Sequence, residues 1–174
     1  MALVTAAEPR HIHAIITLAE EMDRFYGATD TDIEPVDQRA AQITDALFGF
    51  PAAAHVLLAW DDEQAIGLAS YSFLWPAVGM TRSLYLKELY VSQSHRRRGV
   101  GSLLMKHLFR VAVEHQCSRV EWTTDEDNTD ALHFYRALGA IRYPTKIFFR
   151  VEGQGLSDTA AGHHMRSSTG ESGR

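Results

Sequence analysis

One stretch of the sequence decides the fold, Leu84-Tyr-Leu-Lys-Glu-Leu-Tyr-Val-Ser-Gln-Ser-His-Arg-Arg-Arg-Gly-Val-Gly101. Its first half is apolar and aromatic, which predicts a strand over 84–91. After a short polar turn, a long amphipathic segment predicts a helix over 99–115. A strand that leads through a turn into a helix leaves the first backbone N–H groups of that helix without partners. This junction is therefore a candidate anion site.

The positions of the glycines in this turn restrict which phosphate-binding motif it can be. Gly99 and Gly101 let an anion approach the backbone without meeting a Cβ atom. A dinucleotide fingerprint, G-x-G-x-x-G, requires glycine at position 104, where the chain has Leu104, and the Walker pattern G-x-x-x-x-G-K-[ST] does not occur. The pattern R-x-x-G-x-G alone still leaves a basic helix cap without a ligand as an alternative.

Hydrophobic periodicity on both sides of this stretch predicts the remaining elements. They are a strand at 4–6, helices over about 9–27 and 36–50, strands at 55–60, 65–75 and 119–124, a helix at 128–138, and strands at 141–143 and 146–151. A hairpin followed by strand–helix–strand predicts an α+β fold, with a mixed, mostly antiparallel sheet and helices on both faces. We expect one domain over 1–151 and a flexible Gly/Ser-rich tail over 152–174.

Composition and charge exclude several classes of protein. The chain has 174 residues, 45% hydrophobic and 22% charged, with a formal net charge of −5, so it is neither disordered throughout nor a dedicated nucleic-acid binder. The single cysteine, Cys117, excludes an intrachain disulfide and is expected to be a small core residue rather than a nucleophile. No secretory signal or membrane-spanning run is evident, so we expect a soluble cytoplasmic protein without nucleic-acid, membrane or metal partners.

The charge is unevenly distributed along the chain. Residues 20–63 contain eleven acidic residues and two arginines, whereas residues 95–119 contain six basic residues and one glutamate. The acidic segment is suited to attracting a cationic substrate, and the basic segment an anion. Solvated helix faces are the alternative interpretation of both.

A second motif follows the strand at 119–124: Asn128-x-x-Ala131-x-x-Phe134-Tyr135-x-x-x-Gly139. On its own it predicts a helix with Asn128 as N-cap and the aromatic residues in the core. Together with R-x-x-G-x-G some thirty residues upstream, it resembles the GNAT superfamily of acyl-CoA-dependent N-acyltransferases. The resemblance is most specific over 84–143, and within the superfamily the chain is most similar to spermidine/spermine (diamine) N-acetyltransferases.

This resemblance implies acetyl-CoA as acyl donor, no metal, and a primary amine that attacks the thioester without a covalent enzyme intermediate. It also implies three groups of cofactor-binding residues. The pyrophosphate would bind at Arg96, Arg97, Arg98, Gly99, Val100, Gly101 and Ser102, the pantetheine arm along the backbone of Leu89, Tyr90 and Val91, and Asn128 would contact the same arm.

The resemblance also implies the catalytic residues. Tyr135 matches the tyrosine beside the thioester sulfur, and a phenol with a pKa near ~10 suits protonation of the departing thiolate. Its alternative is a packed aromatic residue. Glu88 is the candidate base by motif position, with a water chain as its competitor, and strand alternation predicts that it faces away from Lys87. Diamine acetyltransferases carry an acidic pair where this chain has Lys87-Glu88, and a lysine there would repel a polycation.

The acceptor is the least determined part of the prediction. By resemblance, Asp23, Tyr26 and Trp75 are expected to line its pocket, although each is equally suited to the surface or the core. The acceptor is a small amine, a polyamine, an amino acid or an amine-bearing antibiotic. The alternatives are a protein N-terminus or lysine, or a non-catalytic acyl-CoA sensor, against which Tyr135 argues. A homodimer is an open expectation.

Overall fold

The computed structural model describes residues 2–29 and 34–162. The chain forms two compact units, Met1–Phe134 and Tyr135–Arg174. Their elements are β1 (Leu3–Ala6), α1 (Ile12–Phe25), α2 (Val36–Phe48), β2 (His55–Asp61), β3 (Gln64–Leu74), β4 (Arg82–Val91), α3 (Val100–Glu114), β5 (Cys117–Glu121), α4 (Thr129–Ala137) and α5 (Gly153–Ala160).

The first unit contains one five-stranded sheet in the order β1-β2-β3-β4-β5. The first four strands pair antiparallel, and β4 pairs with β5 in parallel. Because parallel neighbours need a crossover connection, α3 links β4 to β5 across one face of the sheet. The predicted α+β class with a mostly antiparallel sheet is confirmed.

Helices cover both faces of this sheet. Leu68 of β3 belongs to a buried cluster with Ile15 and Leu18 of α1. The preceding residue, Gly67, faces α3, since a Cβ atom added there would lie 3.4 Å from Leu104 Cδ1. Consecutive residues of a strand point to opposite faces, so α1 and α3 pack on opposite sides of the sheet.

A buried arginine joins the first two helices. Arg39 of α2 places Nη1 2.9 Å from Glu20 Oε1 and Nη2 3.3 Å from Asp23 Oδ2, both carboxylates on α1. Ile43 and Leu47 of α2 pack against the α1 cluster on the same side. Two of the acidic residues of segment 20–63, Glu20 and Asp23, thus share one ion-pair partner within the fold.

The second unit departs from the sequence prediction. The predicted strands at 141–143 and 146–151 are wrong. The described residues 135–162 contain only helices, turns and irregular structure. A strand needs a paired neighbour to satisfy its backbone, and apolar content alone does not provide one. The apolar side chains of this stretch are therefore exposed: Ile141, Tyr143, Ile147, Phe148 and Phe149.

The segment that follows contains a helix that the sequence did not predict. Within α5, Gln154 Nε2 donates to Asp158 Oδ1 at 2.8 Å, one helical turn apart. None of the residues of α5 is buried. The domain limits at 151 and 152 and the flexibility of the tail stay predictions, and residues 163–174 lie outside the described part of the chain.

Gly67 supports a prediction about the sheet. A Cβ atom at this position would lie 2.8 Å from the Tyr90 carbonyl oxygen of β4, closer than real contacts allow. We expect Gly67→Ala to lower the free energy of unfolding by about 1–3 kcal/mol, the usual effect of overpacking. Urea unfolding measures it.

Gly101→Ala is the matched control for this stability measurement. Its added Cβ atom would lie 3.4 Å from Phe134 Cζ, an ordinary contact, and alanine favours a helix over glycine. Equal stabilities of the two variants would contradict the packing argument.

Candidate active site

The turn between β4 and α3 has the backbone geometry of an anion site. Gly99 adopts a left-handed conformation with φ of 82° and caps α3. The first helical hydrogen bond runs from Leu103 N–H to the Gly99 carbonyl at 3.0 Å. The N–H groups of Val100, Gly101 and Ser102 therefore point out of the helix end, where the helix dipole adds positive potential.

The side chain of Arg96 supports this turn from within the protein. Its Nε donates to the Val91 carbonyl at 3.0 Å. Its guanidinium carbon lies 4.2 Å from the ring centroid of Phe25 and 5.5 Å from that of Tyr90. These cation–π contacts attach the turn to the last residue of α1.

A second contact attaches α1 to the end of β4. Ser92 Oγ donates to Glu21 Oε2 at 2.7 Å, and the Tyr90 hydroxyl lies 3.5 Å from the same oxygen. Ser92 and Tyr90 are both buried. Burial, and then the Glu21 carboxylate, raise the pKa of the Tyr90 phenol above its ordinary value. Sequence analysis did not identify Glu21, because its partners lie about seventy residues away.

The beginning of α4 lies against the same turn. Arg97, a non-glycine residue with φ of 61°, places Nη2 2.9 Å from Asp130 Oδ2, and both side chains are exposed. Phe134 contacts the position of Gly101 on α3. Asn128 Oδ1 accepts the Ala131 N–H at 3.1 Å, so the N-cap predicted from its motif is formed.

One of the two edges of β4 is only partly paired: β3 lies along one edge as far as Val91, whereas β5 pairs with the other edge only at its beginning. Pairing with β5 extends only from Arg82 to Tyr85. Past that point no strand among the described residues pairs with this edge. Ser92 N–H donates to the Ile66 carbonyl of β3 at 2.9 Å, and bonded pairs alternate along antiparallel strands. The peptide groups of Leu89 and Val91 therefore face the open edge, whereas those of Tyr90 face β3.

A β-bulge lies close to the place where the two strands separate. Ser70 of β3 pairs with Glu88 and the next residue, Tyr71, pairs with Leu86, so Lys87 is the extra residue of β4. A bulge bends its strand and interrupts the alternation of side chains. The prediction that Glu88 faces away from Lys87 is wrong for this reason, because Lys87 Nζ lies 2.8 Å from Glu88 Oε1.

The three residues predicted to line the pocket for the amine acceptor do not all lie close together. Asp23 is paired with Arg39, and Tyr26, one residue after α1, is exposed with its ring edge-on to Phe25. Trp75 lies in the loop between β3 and β4, where its Nε1 donates to the Met80 carbonyl at 3.1 Å. That loop is at the opposite end of β4 from the α1 contacts, on the order of 20 Å away along the strand.

The remaining candidates are simple to place. Tyr135 lies on α4, partly buried, and is the first residue of the second unit. Burial raises the pKa of the Cys117 thiol, which disfavours the thiolate that a nucleophile requires.

Among residues 2–29 and 34–162, no group of three His, Cys, Asp or Glu side chains is arranged to hold a metal, and none of the helices has the length and apolar content to cross a membrane.

The Glu21–Ser92 hydrogen bond supports a second prediction. Ser92→Ala removes the donor and leaves a half-buried carboxylate oxygen without it, so the free energy of unfolding should fall by about 1–3 kcal/mol. Ser94→Ala, an exposed change in the same turn, should stay within about 0.5 kcal/mol. Denaturant unfolding of both variants gives the comparison, and similar values for the two would contradict a stabilising role for this contact.

Comparison with known proteins places this geometry in a family. The model of the Acetyltransferase (GNAT) family matches residues 15–140. Thialysine N-epsilon-acetyltransferase of Bos taurus is 27% identical over 153 residues, covering 84% of this chain and 89% of that protein. L-ornithine N5-acetyltransferase of Arabidopsis thaliana is 28% identical over 96 residues, covering 55% of this chain and 42% of that protein. Human spermidine/spermine N(1)-acetyltransferase-like protein 1 is 24% identical over 142 residues, covering 78% and 20%.

Solved structures agree with this assignment. An integron cassette protein from V. cholerae superposes with a TM-score of 0.83 at 29% identity, covering 91% of this chain and 97% of that one. The fold is shared with an aminoglycoside N-acetyltransferase solved with CoA, at a TM-score of 0.71 and 22% identity, covering 88% and 96%. The chain belongs to the GNAT family of acetyltransferases and is an acyltransferase.

Proposed function

We propose that this protein transfers an acetyl group from acetyl-CoA to a primary amine of a small molecule by direct attack of the amine. The observation that carries the proposal is the combination of two features next to each other. The N–H groups at the start of α3 form an anion site, and the open edge of β4 leads away from it. A long ligand with a pyrophosphate and an amide-bearing arm fits both.

The pyrophosphate would bind at the turn through backbone groups above all. The N–H groups of Val100, Gly101 and Ser102 would donate to it, and Gly99 would leave room for close approach. Arg98, which is exposed, adds positive charge. Arg96 is engaged with the Val91 carbonyl and Phe25, so we assign it to holding the turn in shape.

Arg97 has a role that is separate from that of Arg96. Its exposed ion pair with Asp130 is weak in water, so its guanidinium can exchange this carboxylate for a phosphate. Asp130 would then compete with the cofactor for the same cation. Arg97 is therefore proposed as a contact of the pyrophosphate that forms on binding.

The amide groups of the pantetheine arm would pair with the open edge of β4. Leu89 and Val91 turn peptide groups to that edge, and one of these groups, the Val91 carbonyl, accepts from Arg96. Tyr90 turns its peptide groups to β3, so its contribution is to the packing beneath the arm. Asn128 caps α4 with Oδ1, which leaves its amide nitrogen as the atom proposed to contact the arm.

Acetyl-CoA would supply the thioester whose carbonyl carbon the amine attacks. In the transfer the C–N bond forms and the C–S bond breaks, one proton leaves the amine, and one reaches the thiolate. Alkyl amines have a pKa near ~10.4, so at pH 7 the acceptor arrives protonated and needs a base. We assign that step to Glu88, directly or through water, and the thiolate proton to Tyr135.

The acceptor is proposed to be a small amine. The relatives are named for acetylating thialysine, ornithine and spermidine or spermine, all of which carry primary amines. The acidic segment 20–63 supports a cation, although Glu20 and Asp23 are paired with Arg39 and Glu21 accepts from Ser92. Asp23, Tyr26 and Trp75 stay candidate acceptor contacts, and a homodimer and a cytoplasmic location stay predictions.

Ser102→Asp tests the anion site. Ser102 is exposed in the first turn of α3, where a carboxylate favours the helix dipole, so the melting temperature should stay equal or rise. The same charge opposes the pyrophosphate, and we expect the Kd for CoA to weaken about tenfold or more. Isothermal titration calorimetry measures it, with Ser102→Asn as the uncharged control. Unchanged CoA affinity in the aspartate variant would overturn the assignment of the turn.

Tyr135→Phe tests the proposed acid. The ring is retained, so folding and CoA affinity should change little, whereas loss of the hydroxyl should lower kcat by about two orders of magnitude with KM for the amine nearly constant. His133→Gln, an exposed change on the same helix, is the control. Steady-state thiol release across pH measures both variants, and near-normal turnover of the phenylalanine variant would assign Tyr135 to packing.

A further inference from the structure

A pair of hydroxyl groups bridges the place where β4 and β5 separate. Tyr85 Oη and Thr123 Oγ1 lie 3.2 Å apart, so one of them donates a hydrogen bond to the other. Tyr85 is the last residue of β4 that pairs with β5, and Thr123 follows the end of β5 by two residues. Tyr85 is half-buried and Thr123 is exposed, so solvent has access to the pair.

The register of β4 with β3 places Tyr85 on the same face of the sheet as Glu88. Tyr85 pairs with Ser72 and Glu88 pairs with Ser70, two residues apart on β3. Directly paired residues of antiparallel strands point to the same face, and so do residues two apart on one strand. The bulge at Lys87 therefore shortens a separation of three residues to that of two, about 7 Å along the strand.

The face that Tyr85 and Glu88 share is polar in this part of the sheet. It is the face covered by α1, because Leu68, two residues before Ser70 on β3, packs with Ile15. A bound water molecule needs several polar partners. The next side chains of β3 and β4 on this face can supply them: Ser70, Ser72, Tyr85 and Glu88.

Two carboxylates lie near the Tyr85 hydroxyl, and their ion pairs differ. Glu88 Oε1 accepts from Lys87 Nζ at 2.8 Å, and a carboxylate has acceptor capacity for further hydrogen bonds. Glu121, which pairs with Tyr85 across β4 and β5, is held on its own strand, where its Oε2 accepts from Arg119 Nε at 2.9 Å. Glu88 is therefore the carboxylate to which we assign a water on this face.

We propose that Tyr85 is a positioning residue, whose hydroxyl holds the water that carries a proton from the acceptor amine to Glu88. This inference rests on the proposed function and deepens it, because it names the group that orients the water of the base. Thr123 would donate to the Tyr85 oxygen, and the Tyr85 hydroxyl would donate to the water. Two groups bridged by one water lie roughly 5 Å apart, which the spacing of these side chains permits.

The proton transfer leaves Tyr85 unchanged. The ammonium group of the bound acceptor gives one proton to the water, and the water gives one proton to the Glu88 carboxylate. The free amine then attacks the thioester carbonyl carbon. Tyr85 keeps its own proton throughout, so its contribution is the orientation of the water.

The test compares the full-length wild type with Tyr85→Phe, which removes the hydroxyl and keeps the ring. Thr123→Val is a second variant, which keeps the phenol and removes its partner. The acceptor is the most active of thialysine, L-ornithine and spermidine, the amines for which the relatives are named. Mass spectrometry of the acetylated product gives kcat/KM at pH 7 and pH 10, with the rate without enzyme subtracted.

Two further measurements separate positioning from packing. Tyr71→Phe is the matched control, because Tyr71 lies between Ser70 and Ser72 on β3 and points to the opposite face. Tyr85→Phe is also made in a Glu88→Gln background, which completes a double-mutant cycle. CoA titration and the melting temperature of each variant verify that the cofactor site and the fold are intact.

We expect Tyr85→Phe to lower kcat/KM about tenfold or more at pH 7 but less than about threefold at pH 10. An alkyl amine has a pKa near ~10.4, so at pH 10 roughly a third of it is already unprotonated and needs no base. Thr123→Val should show the same pH dependence with a smaller loss. In the Glu88→Gln background Tyr85→Phe should change kcat/KM less than about twofold, as should Tyr71→Phe in the wild type.

Three results would overturn the inference and leave the proposed function standing. They are an equal loss at both pH values, an undiminished loss in the Glu88→Gln background, and normal activity of Tyr85→Phe at pH 7. A wild type that binds CoA but acetylates none of the three amines would overturn the proposed function, and the inference with it.

Discussion

Each half of β4 has a different set of hydrogen-bonding partners. The strand pairs with β3 from Ser83 to Val91 but with β5 only as far as Tyr85. The bulge at Lys87 lies just beyond this point, where the bend that it introduces helps the two strands to diverge. The remaining peptide groups of the open edge need partners, since backbone donors and acceptors are costly to leave unpaired away from water. This one constraint leaves the peptide groups of Leu89 and Val91 facing an edge that no described strand pairs with.

The end of α1 keeps the neighbouring turn in position. Glu21 accepts from Ser92, and Phe25 packs on the guanidinium of Arg96, so polar and aromatic contacts act together on either side of Tyr90. The same helix is held to α2 through Arg39. Side-chain contacts therefore link α1 both to α2 and to the turn that follows β4. A ligand that binds at the turn meets backbone that is already ordered, which reduces the entropy lost on binding.

The parts of the candidate site that depend on residues close in sequence were predictable, and those that depend on residues distant in sequence were not. The R-x-x-G-x-G turn and the cap at Asn128 follow from local rules of backbone conformation, and the structure forms both as expected. Glu21 and Asp130 were not identifiable, because their partners, Ser92 and Arg97, are brought to them by tertiary packing. Strand alternation failed at Glu88, since a bulge depends on the register with the neighbouring strand.

The sequence by itself determined the order of elements from β1 to α4, the glycine turn that begins α3 and the family. These properties arise from periodicity, glycine conformation and helix-terminal N–H groups within short segments. Tertiary structure decided the rest. Residues 141–151 have the apolar content of strands but form none, because a strand exists only where another edge supplies its hydrogen bonds. The contact between the side chains of Lys87 and Glu88 also depends on strand pairing. Between the pairs Ser70–Glu88 and Tyr71–Leu86, β4 has one residue more than β3.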